Sequence, residues 1–260
     1  MILQRIYDQN SLRIEELSYN SWPALLTFHN DGWIMRFANG FTDRCNSVWP
    51  LYRSSINLKD KAERCEAIYK SCNQPVIFRI TSDINHIELD KHLERMYYVV
   101  KTPTIVQILN IAKLSLKSVT DDITISNIPN YDWIRDVADV TKSLSLPNAY
   151  QAILRNINLP LGLARIKRNG RVVALGLGVI DDKYLGLYGL NTLPSFRRQG
   201  LAHKLITALL KWGQNNNAEL AYLHVEADNN PARPLYDSMG FKDVYQYWYR
   251  QNETTNLVLN

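Results

Sequence analysis

The spacing of hydrophobic positions changes repeatedly along this chain of 260 residues, and each change predicts where one element ends and the next begins. Leu201, Leu205 and Leu209 recur at every fourth position, which predicts an amphipathic helix that begins near Leu201. Asn169-Gly170 between two β-rich runs predicts a tight hairpin. Helices are expected over 1–20, 60–72, 88–96, 131–140, 149–156, 200–214 and 231–239, and strands over 31–40, 75–80, 97–109, 163–168, 171–180, 183–192, 220–227 and 243–250.

The order helix, strand, short helix, strand occurs twice in this pattern. It runs from residue 60 to 109 and again from residue 200 to 250. The first half therefore resembles a degenerate copy of the second. Residues 110–130 have a mixed composition and form the expected boundary, which predicts two domains, 1–120 and 121–260.

The stretch Arg197-Arg198-Gln199-Gly200-Leu201-Ala202 joins a predicted strand to a predicted helix. The first N–H groups of a helix lack intrahelical partners, and the macrodipole places partial positive charge there. Gly200 has no Cβ to block an approaching phosphate, and the two arginines add donors. The stretch therefore predicts an anion site. It lacks the Gly-Lys-Ser/Thr end of a P-loop, and the chain lacks the G-x-G-x-x-G of a dinucleotide fold.

The R-x-x-G-x-A pattern of this stretch resembles the pyrophosphate loop of the GNAT superfamily of N-acetyltransferases. Leu223–Asn229 and Asn229-x-x-Ala232-x-x-Leu235-Tyr236 are similar to that family's later motifs and follow in the expected order. Residues 31–48 resemble the first half of two-part bacterial acetyltransferases, so the likeness covers nearly the whole chain. It implies an α+β fold of two GNAT-like mixed-sheet domains, mainly antiparallel, with a splayed parallel pair at the cofactor site. It also implies acetyl-CoA as co-substrate.

The resemblance implies positions for the cofactor. The pantetheine would pair with the backbone edge of Leu190, Asn191 and Thr192. The pyrophosphate would dock on the amides of Arg197, Arg198, Gln199, Gly200, Leu201 and Ala202. Asn229 would anchor either the cofactor or the start of the next helix.

Tyr236 matches the family tyrosine that protonates the departing thiolate, and an ordinary packing tyrosine is the alternative. Pro234 lies in the first turn of the same helix. Its ring predicts that the helix starts late or is distorted just before Tyr236.

The base that deprotonates the amine is less clearly marked. Many relatives carry a glutamate on the strand before the pyrophosphate loop, and here that strand has none. Strict alternation in 220–227 places His224 and Glu226 on one face of a strand. Glu226, near the strand end, is the candidate base, directly or through water, and a structural glutamate is the alternative. His224, two residues deeper, is more typical of a satisfied histidine within a sheet.

Composition narrows the function classes. The net charge of +5 suits a cofactor that carries phosphates, and no Lys/Arg block or RNA-binding signature marks nucleic acid as the partner. Three cysteines without C-x-x-C spacing argue against a disulfide framework or a metal site. They suit a reducing cytosol, so a cytoplasmic location is expected, and no apolar run is long enough to cross a membrane. The sequence does not decide whether the protein forms a homo-oligomer.

The predicted function is therefore transfer of the acetyl group of acetyl-CoA to a primary amine, by direct attack on the thioester. A small molecule is the expected acceptor. The alternatives are an acetyltransferase that acts on protein or RNA, and a catalytically silent acyl-CoA-binding or regulatory module. No R-x-x-G-x-A stands between Pro50 and Asp60, so no cofactor site is expected in the first half.

Overall fold

Seven α-helices and eleven β-strands make up the described part of the chain, which in this computed structural model covers residues 2–82, 86–116, 122–142 and 148–252. Of residues 2–10 only the backbone is described. The strands are β1 (Leu26–Asn30), β2 (Trp33–Phe37), β3 (Val48–Trp49), β4 (Ile77–Thr81), β5 (Tyr98–Asn110), β6 (Ile123–Ser126), β7 (Leu161–Arg168), β8 (Arg171–Asp181), β9 (Tyr184–Thr192), β10 (Leu220–Glu226) and β11 (Lys242–Asn252). The helices are α1 (Ile2–Ser21), α2 (Leu58–Ser71), α3 (Ile87–Arg95), α4 (Tyr131–Thr141), α5 (Asn148–Arg155), α6 (Leu201–Asn215) and α7 (Arg233–Ser238).

The predicted elements are all present within a few residues of their expected bounds, and β1, β3 and β6 are additional. Local chemistry explains several of these bounds. The side chains of Asn57 and Asn130 accept from the N–H groups of Asp60 and Trp133 and so cap α2 and α4. Asn169-Gly170 takes positive φ at both positions and closes the β7–β8 hairpin, as expected.

All eleven strands belong to one sheet, in the order β1-β2-β3-β4-β11-β5-β10-β9-β8-β7-β6. The pairs β3–β4 and β9–β10 are parallel, and the other neighbours among the described strands are antiparallel. This is the α+β, mainly antiparallel mixed sheet that the sequence predicts.

The two halves repeat one arrangement and exchange their last strands. A parallel pair with a helical crossover, then a helix and a strand, appears as β3-α2-β4-α3-β5 and again as β9-α6-β10-α7-β11. However, β11 pairs with β4 of the first half, and β5 pairs with β10 of the second. The division into domains 1–120 and 121–260 stays a prediction, since the halves share one sheet.

Helix α1 brings the first half to the middle of the sheet. It lies across β8, β9 and β11, and its Ile14 and Leu17 are buried in the same hydrophobic cluster as the core of α6. The buried Glu15 of α1 accepts from Arg79 of β4, with both oxygens 2.6 Å from guanidinium nitrogens. Among the described helices, none is both long enough and apolar enough to cross a bilayer.

Candidate active site

The parallel strands β9 and β10 separate from each other in the middle of the sheet. They are paired up to Leu187 and Leu223 and not beyond. β9 continues to Thr192 while paired only with β8, and β10 continues to Glu226 while paired only with β5. A bulge at Gly189, with φ of +57°, bends β9 at this point. The edge of β9 that faces β10 is therefore open, and this is the predicted splayed pair.

The loop that follows β9 exposes backbone N–H groups at the start of α6. Gly200 has φ of +73°, and a Cβ built there would meet no atom within 4 Å. Arg198 is also left-handed, with φ of +61°. Left-handed residues in such turns can direct successive N–H groups into one concavity, which binds anions. The N–H groups of residues 199–203 bond no backbone carbonyl of the described chain. The loop therefore fits a phosphate group.

Side chains of this loop brace its backbone. The Nε of Arg197 donates to the carbonyl oxygen of Thr192 at 3.3 Å, which ties the loop to the end of β9. The amide nitrogen of Gln199 donates to the carbonyl of Ser195 at 3.4 Å. Arg198 is exposed and extends toward solvent. Of the two arginines, Arg198 has the side chain that is free to meet an anion.

Between the parted strands lies a cavity of about 270 Å³, which we call the gap cavity. Its lining comes from both strands, from α7 and from the first half: Arg44, Leu187, Tyr188, Gly189, Leu190, Asn191, Leu223, His224, Val225, Glu226, Asn229 and Tyr236. The structure thus brings five predicted site residues to one space. Thr192 and the loop residues lie beyond it, at the end of β9.

Tyr236 projects from α7 into the gap cavity and is 8% exposed. Its ring packs edge-on against Phe241, and its hydroxyl makes no hydrogen bond within the described chain. Burial raises its pKa to about 12, so the phenol keeps its proton at physiological pH. Helix α7 begins at Arg233, so Pro234 occupies its first turn, where a proline is tolerated. The N–H of Tyr236 still donates to Ala232 at 3.1 Å, so the helix starts late and is not distorted there.

Glu226 and Asn229 lie where β10 leads into α7. Glu226 is exposed at the strand end, opposite Thr104 of β5, and lines the gap cavity. The side-chain oxygen of Asn229 accepts from the N–H of Ala232 at 3.2 Å. Asn229 therefore anchors the start of the helix, one of its two expected roles, and it also borders the cavity.

A second cavity of about 410 Å³ adjoins the gap cavity on the side of the first half. It is lined by Trp22, Thr42, Asp43, Arg44, Thr102, Thr104, Tyr188, Gly189, His224, Glu226, Tyr247 and Tyr249. Arg44, Tyr188, Gly189, His224 and Glu226 border both cavities, so the two spaces meet at these residues. Glu226 stands at that junction.

His224 sits in a buried polar network beside the junction. Its Nε2 is 2.9 Å from the hydroxyl of Ser18 in α1, and its Nδ1 has no partner in the described chain. Burial, reinforced by Arg44 and Arg79, holds its pKa well below the usual value. His224 is therefore neutral and only half satisfied. The face shared by His224 and Glu226 follows the predicted alternation.

The corresponding loop of the first half, which leads from β3 to α2, is closed by the protein itself. The carboxylate of Asp31 accepts from the N–H groups of Ser55 and Ile56 at 2.7 and 2.8 Å, and from the hydroxyl of Ser54 at 2.6 Å. These bonds, led by that from Ile56, hold the pKa of Asp31 well below its usual value. Lys61, buried beneath, pairs with the same carboxylate at 3.6 Å. In the first half a carboxylate side chain thus bonds the N–H groups of the loop, whereas the corresponding N–H groups of the second half have no backbone partner in the described chain.

Several residues of the junction carry no motif of their own in the sequence. Trp22 directly follows α1 and Tyr247 belongs to β11, elements that only the folded sheet brings near β10. Arg44 lies within 31–48, the segment that resembles two-part acetyltransferases, and that likeness is the one signal that pointed to its neighbourhood.

Residues 12–250 match the family described as "Probable histone acetyltransferase Rv0428c C-terminal". The chain belongs to this family. It is a GNAT-family acetyltransferase, as the loop and the later motifs predict. The match spans both halves, so the first half is part of the family's architecture.

Relatives agree with this assignment. The uncharacterized N-acetyltransferase YobR of Bacillus subtilis is 26% identical over 243 residues, which cover 92% of this chain and 97% of YobR. A [ribosomal protein bS18]-alanine N-acetyltransferase of Haemophilus ducreyi is 40% identical over 58 residues, covering 22% of this chain and 40% of that protein. A GCN5-related N-acetyltransferase structure from Kribbella flavida superposes with a TM-score of 0.68 at 12% identity, covering 93% of this chain and 95% of that one. This last likeness concerns the fold.

Proposed function

We propose that this protein transfers the acetyl group of acetyl-CoA to the primary amine of a small molecule. The observation that carries the proposal is the open edge of β9 beside the gap cavity, followed directly by a loop of unpartnered N–H groups. A strand edge offers main-chain donors and acceptors to an extended amide-containing chain, and the loop offers donors to a pyrophosphate. Acetyl-CoA carries both groups in that order.

The residues that would hold acetyl-CoA are those predicted for it. Leu190, Asn191 and Thr192 supply the backbone edge, and Arg197 to Ala202 supply the phosphate seat. The open space at Gly200 and the exposed side chain of Arg198 fit a dianion there. Acetyl-CoA supplies the activated thioester.

The chemistry requires a base and an acid, and the gap cavity offers a group for each. An ammonium must lose a proton before it can attack, and in this proposal Glu226, which lines both cavities, takes it directly or through water. The amine nitrogen then bonds to the acetyl carbon, and the bond from that carbon to sulfur breaks. The protonated phenol of Tyr236 donates to the departing thiolate. The electron pair of the broken bond stays on sulfur, which becomes the thiol of CoA, and the acylated nitrogen gives up its second proton, which returns to the Tyr236 phenolate directly or through water.

The second cavity supports a small acceptor. Its volume of about 410 Å³ and its lining by Trp22, Tyr247 and Tyr249 suit a molecule of modest size held against aromatic rings. We propose that this cavity holds the acceptor and that the first half of the chain forms much of its wall.

Two other functions are favoured by particular observations. The Haemophilus ducreyi relative acts, by its name, on an alanine of a ribosomal protein, which favours a protein acceptor. β9 contains no carboxylate, unlike the corresponding strand of many relatives, which favours a silent acyl-CoA-binding module.

The experiment that separates these functions has two arms. Calorimetry with acetyl-CoA measures binding, and release of free CoA thiol in the presence of a panel of small amines and alanine-starting peptides measures transfer. Binding with turnover of a small amine is the expected result. Binding without turnover of any amine or peptide would favour the silent module, and turnover of peptides alone would favour a protein acceptor. Absence of binding would contradict the proposed donor.

A further inference from the structure

Arg44 occupies the junction of the two cavities and has an unused donor. It belongs to a short 3-10 turn, Asp43–Cys45, and its guanidinium lies 5.3 Å from the ring centre of Tyr188. Its Nε is buried and has no hydrogen-bond partner in the described chain. A buried N–H without a partner costs about 1–3 kcal/mol, more when it is charged. Such a group at a cavity wall points to a ligand that supplies the acceptor.

Three other buried arginines are paired with carboxylates, whereas Arg44 and Arg36 are not. Arg36 donates to the backbone carbonyls of Tyr19 and Trp22 and lines neither cavity, so Arg44 is the unpaired arginine of the junction. Arg79 meets Glu15 at 2.6 Å, Arg165 meets Asp136 at 2.7 Å, and Arg250 meets Asp90 at 2.8 Å. Within the described residues, no carboxylate oxygen comes within 4 Å of the Arg44 guanidinium. Burial lowers the pKa of Arg44, but the phenols of Tyr247, Tyr249 and Tyr188 raise it, and the result lies above the usual value. A full positive charge therefore faces the cavities without a counterion.

The segment that carries Arg44 is held rigidly in place. Asn46, which is buried, accepts from the N–H groups of Ala38 and Gly40 at 2.7 and 3.0 Å and donates to the carbonyls of Phe41 and Thr42 at 2.9 and 2.8 Å. One side chain thus fixes the whole turn. A binding group carried on such a turn is pre-organised.

The backbone around the second cavity is strained in two places. Thr42 and Thr102 have φ of +59° and +48°, and both line this cavity. β-branched residues rarely adopt positive φ, and strain of this kind is found chiefly at binding and catalytic sites. Two strained residues in the wall of one cavity therefore support a binding function for that cavity.

The charges around the second cavity have both signs. Arg44 is positive, whereas Asp43 and Glu226 are carboxylates that line the same space. Burial raises the pKa of Asp43, and Lys101 opposes that effect. A molecule with one cationic and one anionic group close together complements this arrangement better than a simple cation does.

We propose that Arg44 binds a carboxylate of the acceptor, and that the acceptor is a free amino acid whose amine lies near that carboxylate. This inference rests on the proposed function. The fork of a guanidinium matches a carboxylate, and Arg44 and Glu226 border the same junction, so one residue takes the anion and the other faces the amine. The amino-terminal residue of a protein has an amide in place of that carboxylate and lacks the recognised group.

The test compares matched acceptors on the intact protein. Acetylation is measured with the standard amino acids, β-alanine and γ-aminobutyrate, with the carboxamide of each, and with an alanine-starting peptide. Calorimetry with acetyl-CoA on the same preparation reports the donor site separately. At least one amino acid is expected to exceed its carboxamide in kcat/KM by about 10- to 100-fold, the range for one charge-assisted pair.

Substitution of Arg44 links that preference to the residue. In Arg44→Gln the preference for the carboxylate should fall to about onefold, through a higher KM, while the Kd for acetyl-CoA stays near wild type. Arg44→Lys keeps the charge without the fork and should retain part of the preference. This second variant also serves if Arg44→Gln does not fold. Arg64→Gln on the exposed face of α2 is the matched control and should change neither quantity.

The outcomes separate the two proposals. If acetyl-CoA does not bind, the proposed function fails and the inference falls with it. If acetyl-CoA binds but carboxamides or the peptide are acetylated as well as amino acids, or no amino acid is acetylated, the carboxylate seat is wrong. It is equally wrong if the preference survives in Arg44→Gln, because Arg44 would then be a packing group of the tyrosine cluster.

Discussion

Tyr236 is the residue whose environment most closely matches one chemical task. Its hydroxyl faces the gap cavity and has no hydrogen-bond partner in the described chain that would hold its proton back. A pKa of about 12 keeps it a donor throughout the pH range of ordinary assays. The protonated hydroxyl therefore faces the gap cavity, where the thioester of the proposed donor would lie.

Tyr236→Phe should lower kcat by about 10²-fold, the scale of one positioned proton donor, and leave the Kd for acetyl-CoA near wild type. The ring and its contact with Phe241 remain, so stability should hardly change. The deficit should shrink at low pH, where solvent supplies the proton. Steady-state kinetics across pH, with an acceptor in hand, measures this. Full activity of the variant at every pH would make Tyr236 a packing residue.

Glu226→Gln tests the base. The amide cannot accept the proton of the ammonium, so kcat/KM should fall by about 10²-fold near neutral pH. The gap to wild type should narrow as the pH approaches the pKa of the acceptor amine, because the amine then arrives deprotonated. Asp228→Asn, two residues along the chain, is the control and should leave the profile unchanged. A deficit that is constant with pH would assign Glu226 to binding instead.

At the scale of elements, the turn into α6 is the feature on which the proposed binding of acetyl-CoA depends. Gly200→Glu places bulk and negative charge in the phosphate seat and should abolish acetyl-CoA binding by calorimetry. A Cβ meets no neighbour there, so the cost to the fold is the left-handed backbone alone, about 1–2 kcal/mol.

Gly170→Glu provides the matched control for this change. Gly170 has φ of +78°, and a Cβ built there also meets no atom within 4 Å. It lies in the β7–β8 hairpin, so the variant should lose similar stability in a thermal melt and still bind acetyl-CoA. Unchanged affinity in Gly200→Glu would contradict the pyrophosphate seat.

The elements themselves could be predicted because their signals are local. A stripe at every fourth residue gave α6, and Asn169-Gly170 gave a hairpin. The exchange of β5 and β11 could not be predicted, because alternation within a strand shows which side chains are buried and not which strand lies beside it. The role proposed for Arg44 depends on that exchange and on the strained turn at Thr42, and neither can be read from the local pattern.

At the scale of the whole molecule, the two halves differ in one decisive contact. In the first half Asp31 already bonds the amides ahead of α2, and a phosphate there would meet its negative charge. Calorimetry should therefore give one acetyl-CoA per chain. A stoichiometry of two would show that the first half also binds.

Stability in alkali is a second property of the whole chain. Burial raises the pKa of Tyr188, Tyr222, Tyr236 and Tyr249, whereas Arg79 and Arg44 lower that of Tyr247. Between about pH 10 and 12 the unfolded chain loses phenolic protons that the folded chain keeps, so the unfolded state binds fewer protons and stability falls. Burial also raises the pKa of the Cys45 and Cys65 thiols, so thermal melts should give a Tm that begins to fall gently near about pH 9 and falls steeply above about 10. A Tm that stays level to pH 11 would mean that these phenols lose their protons as readily in the folded chain as in the unfolded chain.

The exchanged strands also dictate an order of events during synthesis. β4 leaves the ribosome early, yet the strand beside it, β11, begins at Lys242, close to the end of the described chain. At about 5–20 residues per second, the first half waits roughly ten to thirty seconds for its missing neighbour. Its unpaired strand edge is exposed for that time. β11 is translated after every other described strand and yet completes the sheet of the first half, so a nascent chain that stops short of β11 leaves both halves unfinished.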